Sequence, residues 1–257
     1  MPCRRAQSII APELTGETPQ RPEALSTGRR QFAKLALFAL VMAMFSVRGV
    51  RLMVHIIGTY LPRLLRFVIW DPVWKLPADN KTVYLTFDDG PDPEATPRLL
   101  DLFNRHQAHA TFFLRGDNAE KYPQLVRDTL AAGHVIGNHT YSHVNAWKTP
   151  HTEFARELDK TTEILEGLSG APIHWMRTPF GRITPRGLIW CKPAGQKMVR
   201  WDVLPGDFTP HATAARVADW THRRIRPGSI VCLHDNPKSR SITPAAIEQL
   251  LPRLIDD

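Results

Sequence analysis

Two aspartates stand side by side at Asp88 and Asp89, within the run Thr86-Phe87-Asp88-Asp89-Gly90-Pro91. Adjacent carboxylates repel, and burying both is costly unless a cation neutralises them. Gly90 and Pro91 predict a sharp turn that aims both toward one spot. Such a run is common, and alone it fits equally a turn whose aspartates cap the next helix. A second segment, Asn138-His139-Thr140-Tyr141-Ser142-His143, holds two histidines four residues apart. If the segment is helical, that spacing puts both rings on one face, where their nitrogens can converge on one metal ion. Standing alone, the pair would fit a plain surface. One Asp with two His makes a three-ligand set that leaves zinc an open position for water.

Three further segments carry unusual chemistry. Arg177-Thr178-Pro179-Phe180-Gly181 offers an arginine that could pair with one aspartate and keep it ionised. Trp201-Asp202-Val203-Leu204-Pro205-Gly206-Asp207-Phe208 supplies two more carboxylates. Ile230-Val231-Cys232-Leu233-His234-Asp235 delivers a histidine to the end of an apolar run. Lone histidines at strand ends are usually structural, but one that faces a metal site suits proton transfer. Trp147, Tyr141 and Trp201 lie near these segments and could stack on a bound ligand, or equally pack in the core or at its rim.

These segments must be positioned by alternating strands and helices. Apolar and β-branched runs predict strands at 82–88, 110–114, 134–137, 173–177, 197–203 and 229–233. Apolar stripes at helical spacing predict helices at 96–106, 123–132, 152–168, 184–194, 212–225 and 243–254. Each chemical segment falls at or just after a strand. That order implies parallel βα units with a site at the strand C-termini.

Thr-Phe-Asp-Asp-Gly-Pro, His-Thr-Tyr-Ser-His, Arg-Thr-Pro-Phe-Gly, Trp-Asp-Val-Leu-Pro-Gly-Asp-Phe and Leu-His-Asp follow one another in that order. The set resembles the five motifs of the NodB-homology polysaccharide deacetylases, carbohydrate esterase family 4, over about residues 72–255. The resemblance implies an α/β fold, a distorted (β/α) barrel of about seven parallel strands. It implies Zn2+, or a related divalent metal such as Co2+, and hydrolysis of acetamido groups on chitin-like, peptidoglycan or lipid-linked sugars. Carried over by position, Asp88 resembles the catalytic base, and Asp89, His139 and His143 the metal ligands. Arg177 resembles the arginine that orients the base. The Phe180 N–H, beside Pro179, falls where the family places an oxyanion donor. His234 resembles the general acid, Asp207 its carboxylate partner, and Leu233 a wall of the acetyl pocket. The fourth segment departs from the pattern. Leu204 stands for the first acidic residue and Phe208 for a tryptophan, which puts substrate contacts in doubt more than the reaction. Two other readings fit the fold: a metal amidohydrolase acting on a non-sugar amide, and a non-catalytic sugar-binding protein. A decayed site should have lost a ligand, the base or the acid, and all are present.

Charge separates this region from what precedes it. Residues 1–70 hold ten Lys and Arg against three Asp and Glu, a net of +7. The remainder holds 23 against 22, a net of +1. A basic segment beside an apolar run suits an anionic membrane surface better than nucleic acid, for which no binding is expected. Residues 1–30 lack apolar periodicity and are expected to be a disordered basic tail. Within 31–70, the uncharged run 35–47 has 13 residues, short of the ~20 that span a bilayer. It is read as a membrane-associated or docking segment, with Met53 as an alternative start. Residues 71–257 are then the deacetylase unit, in which a short closing strand is expected to be missing. Cys3, Cys191 and Cys232 are too few and too scattered for a disulfide framework.

Overall fold

The computed structural model describes residues 72–76 and 82–256. The tail expected at 1–30, the apolar segment at 31–70 and Cys3 lie outside the described residues. Among the described residues, no helix is long and apolar enough to cross a membrane.

The elements follow in the order β1 (Tyr84–Asp88), α1 (Ala95–Arg105), β2 (Thr111–Leu114), α2 (Gly116–Lys121), α3 (Pro123–Ala131), β3 (Val135–Asn138), α4 (His151–Ser169), β4 (Trp175–Met176), α5 (Pro185–Cys191), β5 (Lys197–Met198), α6 (Ala214–Arg224), β6 (Ile230–His234) and α7 (Thr243–Asp256). Six strands form one parallel sheet, ordered β5-β4-β3-β2-β1-β6. Helices begin where side chains can satisfy orphan N–H groups: Thr184 caps α5 by accepting from Gly187, and Thr213 caps α6 by accepting from Arg216. The short helix α2 has no counterpart among the helices expected from the sequence. Its residues, Gly-Asp-Asn-Ala-Glu-Lys, carry too few apolar side chains to show a stripe.

The expected seventh strand is reduced to contacts. The run 197–203, read from sequence as one strand, touches both edges of the sheet. Lys197 and Met198 pair with β4, Val199 bridges Val73, and Val203 bridges Val231 on β6. Cys232 N–H donates to Val203 O at 2.9 Å, and Arg200 N–H to Val73 O at 2.7 Å. A span of five residues therefore joins the two edges, which requires a strongly curled sheet. This is the distorted barrel, its gap closed by a strand that changes partners midway.

Strand alternation divides the interior into two layers. On the helix side, Phe87 stacks on Phe112 at 5.1 Å between ring centroids and meets Phe103 edge-on at 5.7 Å. Leu99, Leu165, Leu233 and Ile247 belong to this layer. The other face gathers Phe113, Trp201, Leu204, Ile230 and Cys232. Phe112 and Phe113 thus face opposite ways, as do Leu233 and Cys232.

Candidate active site

The C-terminal ends of β1, β3 and β6 converge with the turn after β4. Asp88, the last residue of β1, is 4 % exposed. Its Oδ1 accepts from Arg177 Nη1 at 2.7 Å, and its Oδ2 from the Cys232 thiol at 3.3 Å. Arg177 is completely buried and fully engaged. It also donates to Thr86 Oγ1 at 2.7 Å, Val199 O at 3.3 Å and Arg200 O at 3.1 Å, with its guanidinium 4.1 Å over the Phe113 ring. Burial works to raise the pKa of Asp88, but Arg177, with His139 and His234, outweighs it and holds the carboxyl below its usual range.

Asp89 leaves the strand in the left-handed region, with φ 80°. That conformation is uncommon for a residue with a side chain, though aspartate tolerates it better than most. It turns the second carboxylate away from the first. Asn118 on α2 donates to Asp89 O at 2.8 Å, Asp89 N–H donates to Phe113 O at 3.2 Å, and Asn236 Nδ2 donates to Asp89 Oδ2 at 2.7 Å. Gly90 is required by space, because a Cβ there would overlap the buried Asp235 carboxyl. Burial pushes that carboxyl well above its usual range, so it can sit neutral against the turn while Thr96 donates to it at 2.7 Å.

The two histidines come together differently from the expected helix. Residues 139–146 form no helix, and Thr140 (φ 64°) and His143 (φ 61°) both take the left-handed region. A folded loop lets two residues four apart present their rings to one point, with centroids 5.2 Å apart. Asn138 holds its start by accepting from Thr140 N–H at 2.8 Å and donating to Leu158 O. Glu157 on α4 holds its middle by accepting from both Ser142 N–H and Ser142 Oγ. Four of the five non-glycine residues with positive φ among the described residues, Asp89, Thr140, His143 and Phe180, surround this point. Such clustering is typical of functional sites.

Asp89 Oδ1 lies 3.0 Å from His143 Nε2 and 3.5 Å from His139 Nε2. This oxygen is buried and accepts no hydrogen bond. His139 Nδ1 lies 2.8 Å from Arg177 O, a group that can only accept, so Nδ1 carries the proton. The neutral ring then points the Nε2 lone pair at the carboxylate, so two lone pairs face each other. A divalent cation resolves that arrangement, and the Nδ1–H on a carbonyl is the usual orienting bond of a metal-ligating histidine. A second cluster, Asp88, Cys232 and His234, is equally compact. It suits a cation poorly, because Arg177 already holds Asp88. Burial and the Asp88 charge also push the Cys232 thiol well above its usual range, which keeps it from being a thiolate ligand.

His234, the last residue of β6, faces the same space from the opposite side. Its Nδ1–H donates to Asp207 Oδ1 at 2.9 Å, and its backbone N–H to Asp207 Oδ2 at 2.7 Å. Thr243, at the start of α7, donates to the same Oδ2 at 2.6 Å. Burial works to lower the His234 pKa, but Asp207 more than reverses it and the ring is pushed up to about 9. The Phe208 ring packs edge-on against it at 4.8 Å. Asp202 serves elsewhere. It accepts from Ser229 Oγ and Ile230 N–H, both at 2.9 Å, and so anchors the start of β6.

Phe180 lies in a single 3-10 turn, Pro179–Gly181, with φ 56°. Gly181 N–H folds back on Thr178 O and Arg182 N–H on Pro179 O. Gly181, with φ 65°, is pressed against Trp201 and has no room for a side chain. The Phe180 ring is exposed and meets His143 at 4.5 Å.

Most of the residues singled out from the sequence therefore meet: Asp88, Asp89, His139, His143, Arg177, Pro179, Phe180, Asp207 and His234. Leu233 does not. It is fully buried in the helix-side layer, because alternation along β6 turns Cys232 and His234 toward the site and Leu233 away. Cys232 faces the site in its place, with its thiol 3.3 Å from Asp88 Oδ2. Trp201 is buried against the inner face, and Tyr141 is bound to Glu120 at 2.7 Å, so neither is a free stacking surface. Sequence reasoning missed Asn118, Asn236, Thr243 and Cys232. Asn236 directly follows His234-Asp235 and was findable by proximity, whereas Asn118 sits on the unexpected helix α2 and gave no signal.

The family profile described as polysaccharide deacetylase matches residues 75–199. A peptidoglycan-N-acetylglucosamine deacetylase of Bacillus cereus is 38% identical over 179 residues, covering 69% of this chain and 65% of that protein. The chain thus spans just under two thirds of that relative's length. A chitooligosaccharide deacetylase of Sinorhizobium fredii is 35% identical, over 68% of this chain and 86% of the other. Among solved structures, a peptidoglycan N-acetylglucosamine deacetylase in complex with 4-naphthalen-1-yl-N-oxidanyl-benzamide superposes with a TM-score of 0.70 at 34% identity, covering 74% of this chain and 89% of that one. With the barrel, the ordered motifs and these relatives in agreement, the chain belongs to the polysaccharide deacetylases of the NodB-homology group, carbohydrate esterase family 4.

Proposed function

We propose that the chain is a metal-dependent hydrolase that removes the N-acetyl group from N-acetylglucosamine units of a glycan, of the peptidoglycan or chitooligosaccharide kind. The observation that carries this is the orphaned Asp89 Oδ1 facing two histidine Nε2 atoms, between a carboxylate held by arginine and a histidine held by aspartate. Asp89, His139 and His143 would hold the ion, with zinc the metal this N2O donor set favours. When bound, it supplies Lewis acidity toward a carbonyl and acidifies a water in its open position.

The remaining work belongs to the chain's own side chains. Asp88 is ionised; Arg177 holds its Oδ1 at 2.7 Å, whereas its Oδ2 accepts only from the Cys232 thiol, at the longer 3.3 Å, so Oδ2 takes the proton of the attacking water. The Phe180 N–H donates to the acetyl oxygen as negative charge grows there. His234 carries a proton at neutral pH and shows its Nε2 side to the site, since Nδ1 is committed to Asp207. It gives that proton to the sugar nitrogen as the carbon–nitrogen bond breaks. The products are acetate and a free amino sugar. The catalytic unit is residues 71–257, with the preceding stretch an appendage to it.

The test is acetate release from acetylated chitooligosaccharides, peptidoglycan fragments and lipid-linked sugars, with and without chelator. Release that chelation abolishes and zinc restores supports the reading. Release indifferent to chelation, or none from any glycan, sinks it.

A further inference from the structure

Asp89 and the two histidines come from strands that are not neighbours. β2 lies between β1 and β3 in the sheet, so the two ligand-bearing turns start roughly 10 Å apart. Yet Asp89 Oδ1 ends 3.0 Å from His143 Nε2 and 3.5 Å from His139 Nε2. The two turns must be drawn together over the end of β2 and held there.

The residues that leave β2 do this by bonding to both sides. Phe113 O accepts from Asp89 N–H at 3.2 Å, and Leu114 O from His139 N–H at 2.9 Å. Arg115 N–H then donates to Gly90 O at 2.9 Å, while Gly116 and Asp117 N–H donate to Thr140 O and Tyr141 O, both at 3.0 Å. Those five bonds are made by the backbone. The sixth in the run is made by a side chain, Asn118 Nδ2, which donates to Asp89 O at 2.8 Å. α2 thus starts on the histidine side and returns to the aspartate side through Asn118. The asparagine is aimed by its own surroundings. Its backbone N–H donates to Asp117 Oδ1 at 2.8 Å, and Arg115 Nε donates to the same oxygen at 2.9 Å.

Asp89 has a physical need for this bond. With φ 80° it sits where a residue with a side chain persists only if its surroundings fix it. A donor on its carbonyl fixes the peptide that follows, and with it the direction in which the turn holds the carboxylate. We infer that Asn118 is a positioning residue of the metal centre. From α2 it sets the Asp89 turn against the histidine loop that the same helix holds. The three ligand atoms are then presented at the separation one ion requires. This rests on the reading of Asp89, His139 and His143 as the metal ligands. Asn118 touches neither ion nor substrate and acts through Asp89. Without its bond the turn must be ordered when the ion arrives, and that ordering is subtracted from the affinity.

The measurement is zinc binding by the full chain, Asn118→Ala and Asn118→Leu, in competition with a chromogenic chelator. Melting temperatures of the chelator-treated and zinc-loaded forms accompany it. Leucine is close to asparagine in size and carries no donor. Both variants should bind zinc about tenfold more weakly. Their melting temperature without zinc should stay within about 3 °C of the wild type, so that the loss appears in the rise that zinc produces. Recovery of affinity in Asn118→Leu overturns the inference, because packing and not the donor would then matter. A melting temperature lowered as much without zinc as with it shows a general scaffold role and overturns it too. A wild-type chain that binds no zinc sinks the metal reading and the inference together. Zinc binding by the wild type with the same affinity in both variants sinks the inference alone.

Discussion

His134 and His234 are both enclosed by the fold, yet their charge states are set in opposite directions. His134 lies in the helix-side layer among Phe103, Phe112 and His109, with ring centroids 5.3 to 5.8 Å away. Its Nδ1 accepts from Ala110 N–H at 3.0 Å, which fixes a neutral ring. Burial, then the nearby His109, pushes it down to about 4. His234 lies at the barrel mouth, where burial pulls the same way and Asp207 reverses it, to about 9. Burial by itself silences a histidine; a buried carboxylate beside it makes a proton donor at neutral pH. The two layers of one strand set thus hold a structural and a chemical histidine.

The contrast is broken most severely by removing charge at the mouth. Asp88→Asn should lower turnover a thousandfold or more, the upper part of the range for general base catalysis, while metal content measured by atomic emission stays at one per chain. Asp89→Asn should lose metal and turnover together. If Asp88→Asn sheds its metal and Asp89→Asn keeps it, the two carboxylates have been assigned the wrong way round.

Asp207→Asn should have the next largest effect, about a hundredfold in kcat. With its charged partner gone, His234 holds its proton less tightly, so the alkaline limb of the pH–rate profile should move to lower pH. Loss of rate with an unmoved limb would mean that Asp207 only braces the loop. Asn236→Ala should act on the ion more than on the chemistry. Removing the donor on Asp89 Oδ2 should weaken metal affinity about tenfold, measured by competition with a chromogenic chelator. Undiminished affinity would leave Asn236 a bystander.

The smallest effect belongs to the neutral layer. His134 protonates near 6.5 when unfolded and near 4 when folded. As pH falls from 6.5 to 4, the unfolded state takes up this proton first, so stability drains away across that window and is constant above it. His134→Gln should flatten the fall in melting temperature between pH 6.5 and 4, whatever it costs at neutral pH. Parallel curves for the two proteins would show that another group governs acid sensitivity.

The chemical residues were legible because a charged or ligating side chain at a strand end has few structural reasons to be there. Asp88, Asp89, His139, His143, Arg177 and His234 could be picked out one by one, and the alternation of strands and helices placed them at one end of a parallel sheet. Leu233 was misplaced for a related reason. The resemblance gave a neighbourhood, and only the phase of the strand, fixed by pairing of β6 with β1, decides which residue of a pair faces in. The histidine pair does converge, but through a loop and not the expected helix, since a loop with two left-handed residues also brings together rings four residues apart. Asn118 left no trace, because a polar side chain on a short polar helix looks like any exposed residue.

The sequence by itself determined which functional groups exist, their order, and the parallel βα framework that carries them, because hydrophobic periodicity and unusual local chemistry are properties of neighbours along the chain. Tertiary structure alone decided that the run 197–203 closes the barrel by touching both edges, and that Cys232 and not Leu233 lines the site. Each of these depends on contacts between residues far apart in the chain, where a rotation of one residue along a strand exchanges the buried face for the other, and no local pattern records that phase.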